Sequence, residues 1–156
     1  VRVEYEDSPL IYNEDFQFEI GRGYIIKEGK DVTVISCGIA LARTLEAAQL
    51  LSGEGIDVEV IDMPTLKPLD KAIILESVGK TGQVVTVEDH NIIGGLGAAV
   101  CQTLMESGLP VDMVSLGIND TYTESGASVQ LRDKYGTGKD QIMRAVRQLH
   151  AQRRRP

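Results

Sequence analysis

Basic residues are the scarce class in this 156-residue chain: 16 Lys and Arg stand against 23 Asp and Glu, a formal net charge of −7. Neutralising a phosphate backbone takes a basic face, so this balance argues against nucleic acid as the main partner. The single basic run, Arg153-Arg154-Arg155, lies at the extreme end and reads as a solvated tail. Long apolar runs are also missing. None approaches the ~20 residues that span a bilayer, and no signal-peptide pattern opens the chain. The expectation is a cytoplasmic protein with no membrane partner. Cysteine is limited to Cys37 and Cys101, too few and too far apart for a disulfide framework or a metal motif. Both are expected to be buried as small apolar residues. There is no Walker loop, no CxxC and no HExxH, and Glu124-Ser125-Gly126 is not the G-x-S-x-G of a nucleophile elbow. Ser125 is read instead as a cap for the short helix that follows.

What is present is an ordinary globular composition, 42% hydrophobic and 25% charged, at a length suited to one domain. Residues 1–21 differ from the rest. They carry Glu4, Glu6, Asp7, Glu14, Asp15 and Glu19 against one base, Arg2, and they lack sustained periodicity. Because Leu10, Ile11, Tyr12, Phe16, Phe18 and Ile20 are interspersed, this is read as an extended arm that lies on a surface. Val1-Arg2-Val3 alternates like the end of a strand.

Beyond residue 22 the pattern is regular. Strands are expected at Tyr24–Ile26, Val32–Ser36, Val58–Ile61, Val84–Val87 and Val111–Leu116, all apolar runs rich in β-branched residues. Between them fall helical segments. One carries Leu41, Leu45 and Ala48 on a single face and ends at Gly53 and Gly55. A second is capped by Asp70 and stopped by Gly79 and Gly82, and a third follows Gly94-Gly95 with Leu96, Val100 and Leu104. A short helix is expected over Val129–Lys134. The last helix carries Ile142, Val146 and Leu149, with Thr137-x-x-Asp140 as a capping box.

Strands that alternate with helices and are apolar on both faces mark a parallel sheet covered on both sides. Right-handed crossovers then require the strand order to reverse near the middle. The expected fold is α/β: a three-layer α/β/α domain with a doubly wound sheet over residues 22–150, followed by a tail at 151–156. Ligands of such sheets sit beyond the carboxyl ends of the strands, at the point of reversal. Four segments reach that position: Ser36-Cys37-Gly38, Asp62-Met63-Pro64-Thr65, Glu88-Asp89-His90-Asn91 and Gly117-Ile118-Asn119-Asp120. Glu88-Asp89-His90 sets two carboxylates beside an imidazole, which reads either as a proton-transfer triad or as a strand-end loop tied into an interface. Gly94, Gly95 and Gly97 open a helix whose backbone N–H groups could cradle a phosphate, or serve only close packing.

The run Gly29-Lys30-Asp31-Val32-Thr33-Val34-Ile35 resembles the G-K-D-V-T-I/L-I that opens the C-terminal domain of transketolases and their relatives. Pro9-x-x-Tyr12-x-x-Asp15 through Phe18-x-x-Gly21 resembles the linker that precedes that domain. Val84-x-x-Val87-Glu88-Asp89-His90-x-x-x-Gly94-Gly95-Leu96-Gly97 is similar to the family's T-V-E-E/D-H-x-x-x-G-G-L-G-x-A-V. Gly117-Ile118-x-Asp120, Glu124-Ser125-Gly126 and Lys134-Tyr135-Gly136 are similar to its closing region. The resemblance covers residues 1–149 in order. Transketolases split into two subunits rank first, 1-deoxy-xylulose-5-phosphate synthases and 2-oxo-acid dehydrogenase beta subunits behind them, and a free-standing anion- or nucleotide-binding module stands as a further alternative.

The resemblance implies a five-stranded, mostly parallel sheet whose short first strand, Tyr24–Ile26, is an antiparallel edge. It implies a transferase that moves two-carbon ketol units between sugar phosphates, with thiamine diphosphate as electron sink and Mg²⁺ beside it. The chain lacks the family's G-D-G…N motif for Mg²⁺ and diphosphate, and also the pyrimidine-binding domain with its activating glutamate. No family catalytic or cofactor-binding residue therefore carries over. Residues 1–21 would be the linker from the pyrimidine-binding domain, and the chain would serve packing within a homodimeric enzyme, inactive by itself. Glu88, Asp89, His90, Gly94, Gly95, Gly97, Asn119 and Asp120 stand as candidates for an interface or a regulatory ligand site.

Overall fold

The structure, a computed structural model, describes residues 8–153. Val1-Arg2-Val3, read above as a strand end, lies outside the described residues, as do Arg154 and Arg155. Five strands and five helices alternate: β1 (Tyr24–Lys27), β2 (Val32–Ser36), α1 (Ala40–Gly53), β3 (Val58–Asp62), α2 (Lys71–Thr81), β4 (Gln83–Asn91), α3 (Leu96–Ser107), β5 (Asp112–Ile118), α4 (Ser128–Tyr135) and α5 (Lys139–Arg153). The sheet runs β1-β3-β2-β4-β5, with β1 antiparallel to β3 and every other pairing parallel. From β2 the chain steps outward to β3, then crosses back to β4 on the other side. The reversal of strand order thus falls between β2 and β4, whose carboxyl ends Ser36 and Val87 are paired.

Successive side chains of a strand point to opposite faces, and the two core clusters divide accordingly. Val34, Val60 and Val85 pack under α1 and α5 with Leu41, Leu51, Ile142 and Val146. Ile35, Ile61 and Val84 pack under α2 and α3 with Ile74, Val78, Val100 and Leu104. At the amino-terminal end of the sheet a buried carboxylate, Glu59, pairs with Lys80 and lies 3.5 Å from the Thr33 hydroxyl.

Several local expectations change. Asp70 does cap α2, its Oδ1 accepting from the Ile73 amide at 3.2 Å, but the helix runs through Gly79 and stops only at Gly82, which takes the left-handed conformation (φ 68°). α4 begins after Ala127 with no side-chain cap, so Ser125 does not cap it. Because α5 starts at Lys139, Thr137 lies two residues ahead of it and forms no capping box; its hydroxyl turns to Asp89 Oδ1 at 3.5 Å. Cys101 is exposed on α3, one position past the inward stripe of Leu96, Val100 and Leu104, and Cys37 is half-buried.

Residues 8–21 lie against the β1–β3 edge. Tyr12 stacks on Phe16 with ring centroids 3.7 Å apart, and Phe16 meets Tyr24 edge-on at 4.8 Å. The Tyr12 hydroxyl donates to Asp62 Oδ2 at 2.5 Å, and Ile11 packs on the core beneath α1.

Candidate functional site

β4 is longer than its apolar run. The polar segment expected as a loop, Glu88-Asp89-His90, continues the strand as a bulge. Val87 pairs with Leu116 and Asn91 with Ile118, which leaves three residues of β4 opposite Gly117 alone. Bulges re-aim side chains at strand ends, and this one needs Gly117. A Cβ there would stand 2.8 Å from Ile92 Cγ2, 2.9 Å from the His90 carbonyl oxygen and 3.1 Å from Glu88 Cγ.

The bulge separates the three side chains, so no proton-transfer triad forms. Glu88 is buried (1% exposed) on the α3 side, where Oε2 accepts from the Leu96 amide at 2.8 Å and Oε1 from the Gly97 amide at 2.9 Å. Its carboxylate therefore fills the N-terminus of α3, the place where the exposed ends of helical N–H groups favour negative charge. The phosphate cradle expected at Gly94, Gly95 and Gly97 is already occupied by the protein's own anion. Gly95 permits this approach, and Gly97 lets α3 lie close to β4 and β5. A Cβ on Gly95 would overlap the Glu88 carboxylate, and one on Gly97 would come within 2.7 Å of Ser115 Oγ. Gly94 forms the turn ahead of them at φ 73°.

Asp89 points to the opposite face. It lies between two guanidiniums, Arg43 of α1 at 3.7 Å and Arg132 of α4 at 3.8 Å, beside the Thr137 hydroxyl. Arg43 also donates to the Thr137 carbonyl at 3.2 Å, so Asp89 ties the end of β4 to α1, α4 and the segment leading into α5. His90 is exposed, and among the described residues its imidazole has no hydrogen-bond partner. Asn119 is exposed as well. Asp120, in the left-handed region at φ 36°, accepts from Asn91 Nδ2 at 3.3 Å. Sequence reasoning missed Arg43, Arg132 and Thr137, since nothing in their local pattern links them to Asp89. On the same face a cavity of about 330 Å³ opens beside Arg43, Arg132 and Lys139, with Glu46, Asp133 and Asp140 balancing their charge.

The carboxyl ends of β2, β3 and β4 form an acidic neighbourhood. Burial pushes the Cys37 thiol up to about 11, with the charges of Glu88, Asp62 and Asp89 adding to the effect. Burial also raises Asp62, opposed in part by the hydrogen bond from Tyr12. Burial and that same bond raise the Tyr12 phenol. A thiol that ionises only near pH 11 is a poor nucleophile at neutrality. Iodoacetamide at pH 8 is expected to label Cys101 about 10²-fold faster than Cys37, the gap closing as the pH rises toward 11. Equal rates by peptide mass spectrometry at pH 8 would contradict this electrostatic picture.

The sequence matches the family described as "Transketolase, C-terminal domain" over residues 21–142. The chain belongs to the transketolase C-terminal domain family. It is 39% identical over 149 residues to the 6-deoxy-6-sulfo-D-fructose transketolase subunit SqwH of Clostridium sp. (strain MSTE9), a match covering 96% of this chain and 46% of that protein. Similarity to the 1-deoxy-D-xylulose-5-phosphate synthase of Heliobacterium modesticaldum, 38% identical over 130 residues, covers 83% of this chain and 20% of the synthase. Among solved structures, a split gene transketolase described as an inactive beta4 tetramer superposes with a TM-score of 0.85 at 43% identity, covering 92% of this chain and 46% of that one. The chain thus spans less than half the length of these relatives, and corresponds to the C-terminal part of transketolases. The five-stranded sheet with one antiparallel edge is the fold shared with that solved structure.

The cofactor implied by the family resemblance, thiamine diphosphate with Mg²⁺, does not fit the residues present. Among the described residues no three acidic, thiol or imidazole side chains gather as a metal would need. The helix N-terminus best placed for a diphosphate is held by Glu88, which would repel it.

Proposed function

We propose that this chain is the assembly-forming C-terminal domain of a transketolase, a thiamine diphosphate- and Mg²⁺-dependent enzyme that moves two-carbon ketol units between sugar phosphates. Residues 1–21 serve as the linker from a pyrimidine-binding domain, 22–150 form the packing domain and 151–156 a basic tail. The cofactor and the reacting sugars belong to the thiamine-binding half, and the complete enzyme is a cytoplasmic homodimer of such pairs. Alone, the chain does not turn over. The observation that carries this reading is the fate of the sheet's carboxyl end. The position where a doubly wound domain would take an anionic ligand is sealed by Glu88. Glu88, Asp89, His90, Gly94, Gly95, Gly97, Asn119 and Asp120 then act in shaping the rim of this domain, with exposed His90 and Asn119 available to a neighbouring domain.

Titration calorimetry of the chain with thiamine diphosphate and Mg²⁺ tests the division of labour. No saturable heat is expected up to millimolar cofactor. Stoichiometric binding by the chain alone would place cofactor chemistry here and end the proposal.

A further inference from the structure

The two edges of the sheet are finished differently. Residues 8–21 lie against the β1 side, where Ile11 and Tyr12 turn inward. β5 forms the other edge, and among the described residues no strand runs along its outer side. An open edge is a row of unpaired N–H and C=O groups, which proteins ordinarily guard with Lys, Pro or a bulge in that strand. β5, Asp-Met-Val-Ser-Leu-Gly-Ile, has neither Lys nor Pro, and its single charge is Asp112 at the first position.

Both backbone groups of a strand residue point to the same side, alternating along the chain. The Asp112 amide donates to the Gly82 carbonyl at 3.2 Å, and the Ile118 carbonyl accepts from the Ile92 amide at 3.1 Å, so the even-numbered residues of β5 face β4. The outward set is therefore Met113, Ser115 and Gly117, centred on Ser115. Val114 and Leu116 pack toward α1 and α5 but stay half-buried, while Ser115 is exposed. A groove of about 220 Å³ runs between β5 and α5, with Arg144 in its wall. α5 descends from the carboxyl end of the sheet, where Thr137 meets Asp89, to the amino end, where the Leu149 carbonyl accepts from Gln83. Helical side chains lean toward the helix N-terminus, so Arg144 leans toward the carboxyl end of β5, opposite to Asp112. Both residues are exposed, and among the described residues neither makes a salt bridge.

We propose that β5 pairs antiparallel with β5 of a second copy of this chain, joining the two sheets across a two-fold axis at Ser115. Ser115 then pairs with its symmetry mate, and Met113 with the second copy's Gly117, each pair exchanging both N–H···O=C bonds. Every outward backbone group is satisfied in that register. A two-fold axis perpendicular to the sheet keeps both copies of α5 on one face. There Val114 lies across from the second copy's Leu116, and Asp112 comes beside the second copy's Arg144. Charge decides the occupant: antiparallel reversal brings together the two unpaired charges that each chain holds at opposite ends of the strand. The pairing rests on β5 and α5 alone, and not on the assembly function proposed above.

Sedimentation velocity over a dilution series up to about 100 μM tests it, a range that resolves contacts of micromolar strength. The wild-type chain is expected to dimerise, and a peptide spanning β5 to exchange its amides more slowly at high than at low concentration. Ser115→Pro deletes the N–H at the axis yet keeps the ladder to β4, because that N–H faces outward; dimer affinity should fall more than about tenfold. Asp112→Arg should weaken the dimer about tenfold at low salt, and adding Arg144→Asp should restore it. This charge pair carries the test if Ser115→Pro fails to fold. A wild-type chain that stays monomeric throughout overturns the pairing. If Ser115→Pro then weakens association with a transketolase fragment carrying both cofactor-binding domains, that fragment is the occupant of the edge instead. A dimer indifferent to folded Ser115→Pro, or to Asp112→Arg, is joined through another surface, which overturns the pairing as well.

Discussion

Glu88→Ala is expected to cost about 3–5 kcal/mol of folding stability, a large effect for a residue outside the apolar core. Two backbone amides, those of Leu96 and Gly97, would lose a charged acceptor inside a site closed to solvent. Each buried N–H left without a partner costs about 1–3 kcal/mol, and the helix also loses a full negative charge at its positive end. For a chain of this size the loss corresponds to a fall of roughly 10–15 °C in melting temperature. Glu88→Gln should cost less, about 2–3 kcal/mol, because one amide oxygen can still accept while the NH₂ faces a donor. Denaturant unfolding followed by circular dichroism measures both. An Ala variant within about 1 kcal/mol of wild type would mean that Glu88 does not cap α3 as described.

Gly95→Ala should destabilise by about 2–4 kcal/mol, and most of that cost should disappear when Glu88 is already Ala. Gly95 has φ −89° and ψ −158°, extended backbone open to any residue, so alanine meets no conformational penalty there. The obstacle is the carboxylate, into which a Cβ would project, with the Asn91 carbonyl oxygen 2.8 Å away. In the double variant the carboxylate is gone and only the carbonyl contact remains. The two single costs should therefore exceed the double-variant cost by at least about 1 kcal/mol. Additive losses would show that the glycine serves something other than close approach of Glu88.

These two residues show where the sequence is transparent and where it is not. The doubly wound sheet is legible because Val32–Ser36, Val58–Ile61 and Val84–Val87 are apolar on both faces, as only a strand covered from both sides can be. The reversal between β2 and β4 follows from that alternation and from crossover handedness. The candidate site was located by the same logic but misread in detail. Polar residues after Val87 look like a loop because hydropathy cannot register a bulge. Pairing of Asn91 with Ile118 opposite a glycine is a long-range fact. Glu88 and the Gly-Gly-Leu-Gly run lie in one stretch of sequence, yet only the fold of β4 against α3 makes one the cap of the other. Thr137 looked like a capping residue by spacing, whereas Asp89, 48 positions away, takes its hydroxyl. Cys101 was misplaced because one step around a helix turns a residue through about 100°. That step separates buried Val100 from a stripe shared by Cys101 and Met105.

The cap that Glu88 places on the N-terminus of α3 stabilises the rim of the domain at the carboxyl end of the sheet. Asp89 extends the same role to the other face by joining the end of β4 to α1 and α4.

The most direct measurement is ketol transfer between a ketose phosphate and an aldose phosphate, assayed with thiamine diphosphate and Mg²⁺. It would be run on the purified chain alone, on a transketolase fragment carrying both the diphosphate-binding and the pyrimidine-binding domains alone, and on the two combined. No turnover is expected from either alone, with activity appearing on mixing and saturating at equal amounts of the two. Turnover by this chain in isolation, or a fragment carrying both cofactor-binding domains that is indifferent to its addition, would contradict the account.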